Sequence, residues 1–277
     1  MAMAHISDVA TLANGVKMPW IGLGVYKSKE GTEVINAVTS ALRSGYRHID
    51  TAAAYGNEEG VGQAIRESGI SRDSIFVTTK VWNSRQGFDS TLAAFDESME
   101  KLALDAVDLY LVHWPVKGKY KETWKALERI YKEGRAKAIG VSNFQVHHLK
   151  DLMESAEVLP IVNQVELHPL LAQVELRSFC KDKGIQIEAW SPLMQGNQLD
   201  HPVLQEIAGK YGKSAAQVII RWDLQHGIVT IPKPVNTGRI QENADVFDFE
   251  LTAEDMERID GMNQNRRFGS DPDNFNF

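Results

Sequence analysis

Four polar side chains in this 277-residue chain sit where an ordinary protein core would leave them unsatisfied. The stretch "HIDTAAAYGNEE" (48–59) begins like an apolar strand. It places a carboxylate at Asp50, then offers a phenol, Tyr55, on a loop tipped by Gly56. Lys80 lies near the end of the β-rich run "IFVTTKVW" (75–82), and His113 near the end of "VDLYLVHW" (107–114). Unpaired charges on dry strands are costly, so these groups must satisfy one another or serve a ligand. An Asp50–Lys80 pair would hold the ammonium in place. That ammonium would lower the pKa of a neighbouring Tyr55 phenol from its usual value of about 10. The phenol then becomes a proton donor usable near neutrality, with His113 orienting a substrate oxygen or sharing the relay. Such a set suits a reaction in which negative charge develops on a carbonyl oxygen. It contains no nucleophilic Ser or Cys. His147 and His148 are adjacent, and neighbours on a helix are expected to face different ways, so no metal centre is expected.

The elements that must position these groups alternate along the chain. Short apolar, β-rich runs occur at 20–25, 46–50, 75–82, 107–114, 136–143, 161–167, 185–191 and 228–233. They are apolar on both faces, as parallel-sheet strands should be. Between them lie amphipathic patterns. In 89–103, Leu92, Phe95, Met99 and Leu102 recur every three or four residues, with Asp89 as the expected N-cap. In 122–133, Trp124, Leu127 and Ile130 make the stripe and Gly134 supplies the stop. Further helices are expected at 32–44, 57–68 and 172–183, each ended by a glycine, and Ser214 and Thr252 are expected to cap two more.

Eight strands, each followed by a helix, predict an α/β fold of the (β/α)8 barrel type spanning 1–277 as one domain. The competing doubly wound sheet would carry a glycine-rich dinucleotide fingerprint. "GLGVYKSKEG" lacks the third glycine at that spacing. The opening segment "VATLANGVKMP" has an Asn14-Gly15 turn between β-prone runs and reads as a hairpin covering the barrel's bottom. In this architecture chemistry belongs at the C-terminal strand ends. Asp50, Lys80 and His113 fall at the ends of the second, third and fourth strands, with Tyr55 in the loop after the second.

Composition narrows the partners. A hydrophobic content of 43% allows a sizeable core, and a net charge of -7 argues against a nucleic-acid binder. The single cysteine, Cys180, cannot form an intramolecular disulfide and is read as packing. No stretch reaches the roughly 18 apolar residues of a membrane span, and the N-terminus lacks a signal-peptide h-region. A cytosolic monomer acting on a small molecule is expected.

The chain also resembles the aldo-keto reductases over nearly its whole length. "GLG" (22–24), "HIDTAAAYGNEEGVGQAI" (48–65), "TTKVW" (78–82) and "LYLVHWP" (109–115) match the family's pattern. So do "IGVSNF" (139–144), "NQVELHP" (163–169), "WSPL" (190–193) and "IPKPVNTGRIQENA" (231–244). Within the family it looks most like short-looped bacterial members such as glyoxal, methylglyoxal and 2,5-diketogluconate reductases. The resemblance implies that Asp50, Tyr55, Lys80 and His113 are the catalytic tetrad. It implies NADPH extended across the barrel mouth, with Ser142, Asn143 and Gln164 on the carboxamide and Trp190 stacked on the nicotinamide. Ser191 and Leu193 would touch the pyrophosphate. Lys233, Val235, Arg239, Glu242 and Asn243 would line the adenosine end.

Two departures from the family pattern carry consequences. Pro234 stands where many members have Ser, removing a hydroxyl and a backbone N–H near the 2′-phosphate. The segments after Pro115 and Pro192 are short, which leaves an open substrate pocket walled by Tyr26, Trp82 and Trp114 beside His113. The expected activity is NADPH-dependent reduction of small aldehydes and α-dicarbonyls. Reduction of a keto-sugar acid is the alternative, and a Schiff-base lyase using Lys80 is a more distant one.

Overall fold

The computed structural model describes residues 3–277. Its first element is the expected hairpin. Strands β1 (Val9–Thr11) and β2 (Lys17–Pro19) pair antiparallel, with Ala10 opposite Met18. Gly15 turns between them at φ 87°, a left-handed conformation that costs glycine little. Ala10, Leu12 and Met18 are buried against Phe76, Leu109, Leu111, Val162 and Val229. The hairpin therefore plugs the end of the sheet where the strands begin.

Eight parallel strands follow, side by side in chain order. They are β3 (Leu23–Gly24), β4 (His48–Asp50), β5 (Phe76–Val81), β6 (Val107–Val112), β7 (Ala136–Ser142), β8 (Val162–Glu166), β9 (Gln186–Trp190) and β10 (Val229–Thr230). A parallel bridge between Ile21 and Thr230 joins first to last. Gly22 N donates to Thr230 O (2.9 Å) and Thr230 N to Trp20 O (2.9 Å). The fold is a (β/α)8 barrel, as predicted. Closure removes free edges, and burial of both faces explains why the strands read as continuous apolar runs.

Helices α1 (Thr32–Arg43), α2 (Glu58–Glu67), α3 (Phe88–Leu102), α4 (Tyr120–Lys132), α5 (Val146–Met153) and α6 (Val174–Lys183) each follow one strand. The simple alternation then breaks. Two helices, α7 (Pro202–Tyr211) and α8 (Ala215–Gln225), lie between β9 and β10, and α9 (Thr237–Ala244) and α10 (Ala253–Asp260) follow β10. Ser214 and Thr252 cap α8 and α10 as expected, and each forms a full capping box. Asp89 does not cap α3. Gly87 takes that place at φ 126°, its N–H bonded to Thr123 Oγ1 (2.9 Å), and Asp89 sits in the first turn facing the helix dipole. Cys180 is fully buried, and burial pushes its thiol up to about 12. Among the described residues no helix is long and apolar enough to cross a membrane.

Candidate active site

Strand register brings the four polar groups to one rim. Asp50 pairs with Thr78 across β4 and β5, and Lys80 with Leu111 across β5 and β6. His113 lies one residue past β6, its N–H donating to Val81 O (3.4 Å). Tyr55 ends a short 3-10 turn, Ala53–Tyr55, which Gly56 terminates in the left-handed conformation. The glycine-tipped loop lets the chain reverse so that the phenol returns over the strand that ends in Asp50. Asn57 anchors this reversal. It accepts from Thr51 Oγ1 (2.6 Å) and donates to Val25 O and Ser28 O (3.0 Å each).

Lys80 is the hub. Its fully buried ammonium donates to Asp50 Oδ1 (2.6 Å), to Thr51 O (2.9 Å) and to the Tyr55 hydroxyl (3.3 Å). The Tyr55 ring lies edge-on to His113 with centroids 5.8 Å apart. Burial alone would lower the lysine's pKa. The Asp50 charge, the electrostatic influence of Tyr55 and the hydrogen bond that Lys80 donates to Asp50 reverse this and lift it to about 12. His113 is held well below its usual value by burial and then by Lys80, so its ring is neutral at pH 7.

Tyr55 departs from expectation. Its pKa is raised rather than lowered, because burial outweighs the neighbouring ammonium and the Asp50 charge adds to the rise. Lys80 still pulls the phenol down, but from a starting point that desolvation has moved upward.

The residues expected at a nicotinamide converge on the same rim. Ser142 Oγ donates to Gln164 O (2.8 Å), and Asn143 Nδ2 donates to His113 O (3.0 Å). Trp190 Nε1 donates to Asn143 Oδ1 (2.8 Å), fixing the indole at the end of β9. Asn143 and Ser191 follow barrel strands at φ 64° and 51°. Left-handed backbone in non-glycine residues persists where surroundings over-determine it, commonly at binding sites. Gln164 donates through Nε2 to both Asp50 Oδ2 (2.7 Å) and Glu188 Oε2 (3.0 Å). Leu193 is half-buried.

Around α9, Asn236 caps the helix by accepting from Arg239 N (3.1 Å). Arg239 is already engaged, both contacts running from Nη1 to the Glu242 carboxylate (2.7 and 2.5 Å). Val235 is exposed and Asn243 buried. Lys233 titrates below its usual value through burial. Glu33 opposes that effect and Lys27 reinforces it. Lys27 is therefore a third cation here, beside Lys233 and Arg239, that the sequence reading missed.

The pocket walls also gain members. Tyr26 is exposed and packs on Tyr55 (centroids 5.1 Å), and Trp82 lies edge-on to His113 (5.2 Å). The C-terminal segment then crosses the mouth. Phe277 stacks on Trp82 (5.8 Å, 6° between planes), and Phe275 and Phe277 both pack on Trp114 (5.2 and 5.1 Å). Glu166 pins the segment's start by accepting from Phe268 N (2.6 Å) and Gly269 N (3.0 Å). Gly269 passes so close to Trp190 that a Cβ there would come within 2.4 Å of the indole. The available signal was two phenylalanines in the otherwise polar run "SDPDNFNF".

Asp273 ties the segment down further along. It accepts from Gln145 Nε2 and meets His147 Nε2 (2.6 Å each), with His148 Nε2 at 3.5 Å. The expectation that His147 and His148 diverge fails. Their ring centroids are 3.8 Å apart, because the pair opens α5 and both rings fold toward Asp273. His148 Nδ1 accepts from Gln145 N (3.0 Å), so in the neutral ring Nε2 carries the hydrogen. That suits donation to a carboxylate rather than a metal.

Residues 20–264 match the model of the Aldo/keto reductase family. The glyoxal reductase of Bacillus subtilis (strain 168) is 60% identical over 98% of this chain and 99% of its own length. The methylglyoxal reductase DkgA of Escherichia coli (strain K12) is 47% identical over 96% of this chain and 98% of its own. Among solved structures, a Gox0644 mutant in complex with NADPH superposes with a TM-score of 0.92 at 45% identity, covering 97% of this chain and 98% of that one. The match spans the barrel and every strand end that carries a group described above, and the chain belongs to the aldo/keto reductase family.

Proposed function

We propose that this chain is an NADPH-dependent reductase of small aldehydes and α-dicarbonyls. The observation that carries the reading is the Lys80 ammonium set between Asp50 (2.6 Å) and the Tyr55 hydroxyl (3.3 Å) beside a neutral imidazole. The dinucleotide fits what the rim offers. Both carboxylate contacts of Gln164 run through Nε2, which leaves its Oε1 available to accept from a carboxamide NH2. Trp190 offers a flat, half-buried face, and Lys27, Lys233 and Arg239 supply cations for phosphates. When bound, the nicotinamide would supply the hydride. The protein's part is to hold the carbonyl and protonate its oxygen. Neutral His113 donates a hydrogen bond that orients the oxygen, and Tyr55 delivers the proton as charge develops. Lys80 is held charged, which leaves no free amine to attack a carbonyl, so imine chemistry is disfavoured. The named groups all come from one chain, so a monomer suffices.

Substrate breadth follows from the walls. Tyr26, Trp82, Trp114, Phe275 and Phe277 are aromatic and carry no cation to clamp an acid group. Apolar contact discriminates weakly between substrates. Loss of NADPH absorbance should therefore be fastest with short aldehydes, glyoxal and methylglyoxal, slower with keto-sugar acids and slowest with a ketosteroid. A strong kcat/KM preference for the ketosteroid, or for one keto-acid alone, would refute this pocket reading.

Coenzyme preference should rest on α9. Arg239→Ala is expected to weaken NADPH binding roughly ten-fold, the scale of one charge-assisted hydrogen bond, and to leave NADH nearly unchanged. Fluorescence titration with both coenzymes checks it. Equal losses would mean that Arg239 serves Glu242 and not the 2′-phosphate.

A further inference from the structure

Beneath the tetrad the barrel holds a second polar layer that the proposed chemistry does not use. Glu188 of β9 and His48 of β4 are both fully buried, with Glu188 Oε1 and His48 Nε2 facing each other at 3.4 Å. Neither atom has a hydrogen-bond partner as the groups stand, each being buried and facing only the other. The other ring nitrogen of His48 lies 3.3 Å from Pro19 O, in the hairpin that plugs the barrel. A carbonyl oxygen can only accept, so Nδ1 carries the hydrogen and Nε2 of a neutral ring is bare. An ionised Glu188 would then set a negative oxygen against a lone pair in a dry interior. One proton between the two atoms removes the conflict.

The other Glu188 oxygen leads back to the site. Oε2 accepts from Gln164 Nε2 (3.0 Å), and the same nitrogen donates to Asp50 Oδ2 (2.7 Å). A single NH2 thus bridges two carboxylates. Asp50 is already paired with Lys80, and a second anion on the far side of that bridge would have no counter-charge. The charged and titratable groups acting on the pair are Asp50 and Lys80, with Asp108 acting on His48. Burial and the Asp50 charge both disfavour ionisation of Glu188, and burial keeps the His48 ring neutral. Gly22 leaves no slack, since a Cβ there would lie 2.7 Å from the His48 ring.

We propose that Glu188 is a positioning residue held as the protonated acid, its proton shared with His48. Its second oxygen and Asp50 together lock the Gln164 amide with Oε1 toward the coenzyme. The positioning half rests on the function proposed above, in which Gln164 reads the carboxamide. The lock also leaves Asp50 as the only anion that Lys80 meets through a hydrogen bond. The shared proton would complete a hydrogen-bond path from the Tyr55 hydroxyl at the mouth to the hairpin at the base.

Two measurements on the full chain test the proposal separately. The infrared difference spectrum of wild type minus Glu188→Gln at neutral pH should show the C=O stretch of a protonated carboxylic acid that shifts in D2O. Asp223 and Glu58, whose carboxyl groups burial also raises, are present in both proteins and cancel. A difference showing only ionised carboxylate would overturn the proton placement, whatever the enzyme reduces.

The second measurement is kinetic. Glu188→Gln preserves a donor toward His48 and an acceptor toward Gln164, so NADPH binding and turnover should stay within about three-fold of wild type. Glu188→Leu frees the Gln164 amide, and NADPH Kd should rise about ten-fold, the scale of one lost hydrogen bond to a buried group. If the leucine variant does not fold, Glu188→Thr, polar but too short to reach Gln164, carries the same expectation. Equal behaviour of the glutamine and truncated variants would overturn the positioning role. A wild-type protein that fails to bind NADPH would overturn the proposed function and that role together, while the infrared band still decides the proton.

Discussion

Replacing Tyr55 with Phe should abolish most turnover while leaving fold and coenzyme affinity nearly intact. The hydroxyl's hydrogen-bond partner is the Lys80 ammonium at 3.3 Å, and that ammonium keeps Asp50 at 2.6 Å and Thr51 O at 2.9 Å when the phenol is gone. The ring stays packed against Tyr26 and His113. What disappears is the acid. Positioned proton donors typically contribute a hundred- to ten-thousand-fold, so kcat with methylglyoxal should fall by at least about a hundred-fold. Indole fluorescence quenching by NADPH should be unchanged, since Trp190 and Gln164 are untouched. A folded Tyr55→Phe protein that keeps turnover within ten-fold of wild type would remove Tyr55 as the donor. The proton would then have to come from elsewhere on the rim, with His113, whose ring lies edge-on to Tyr55, the next candidate.

The tetrad was legible because its residues break the rules of the elements that carry them. A lysine and an aspartate at two neighbouring strand ends alone would read as a structural ion pair, and it is the phenol and imidazole brought to the same rim that point to a ligand. Their common rim follows from strand order alone. The hairpin and the caps at Ser214 and Thr252 were legible for a similar reason, since each rests on residues within a few positions of one another.

What the sequence concealed depends on distance in space. The direction of the Tyr55 shift is a contest between burial and Lys80, and burial cannot be read from neighbours in the chain. Glu188 sits in "IQIEAWS" as an unremarked strand residue, and only closure of the barrel sets it against His48 and Gln164. The C-terminal segment has no periodicity to detect. Its course is fixed by Glu166 and by the hold of Gln145 and His147 on Asp273, and its aromatic contacts by Trp82 and Trp114, all far away in sequence. The expected divergence of His147 and His148 fails for the same reason. Their orientation is decided by Asp273, not by helical geometry.

The raised phenol makes Lys80 more consequential than sequence reasoning implied. If Lys80 merely lowered a normal phenol, its loss would return Tyr55 to about 10. In the folded site the starting point is already higher through burial, and Asp50 pushes the same way. Lys80→Met removes the one cation that opposes both. It also leaves the buried Asp50 carboxylate with the Gln164 amide as its remaining side-chain donor. Leaving a buried charge unpaired is strongly destabilising, so the variant should be checked for fold before its rate is read.

In the folded protein, turnover should fall by about a hundred-fold or more, because a weaker acid transfers its proton later and less readily. The pH profile separates this from simple mispositioning. Reduction needs the protonated phenol, so the wild-type rate should stay level through neutrality and decline only in the alkaline range where Tyr55 ionises. Without Lys80 the phenol ionises at still higher pH, so that decline should move further alkaline while the plateau drops. A Lys80→Met protein with an unchanged plateau would make the lysine structural. A lowered plateau with the alkaline decline unmoved would mean that Lys80 orients Tyr55 without tuning it.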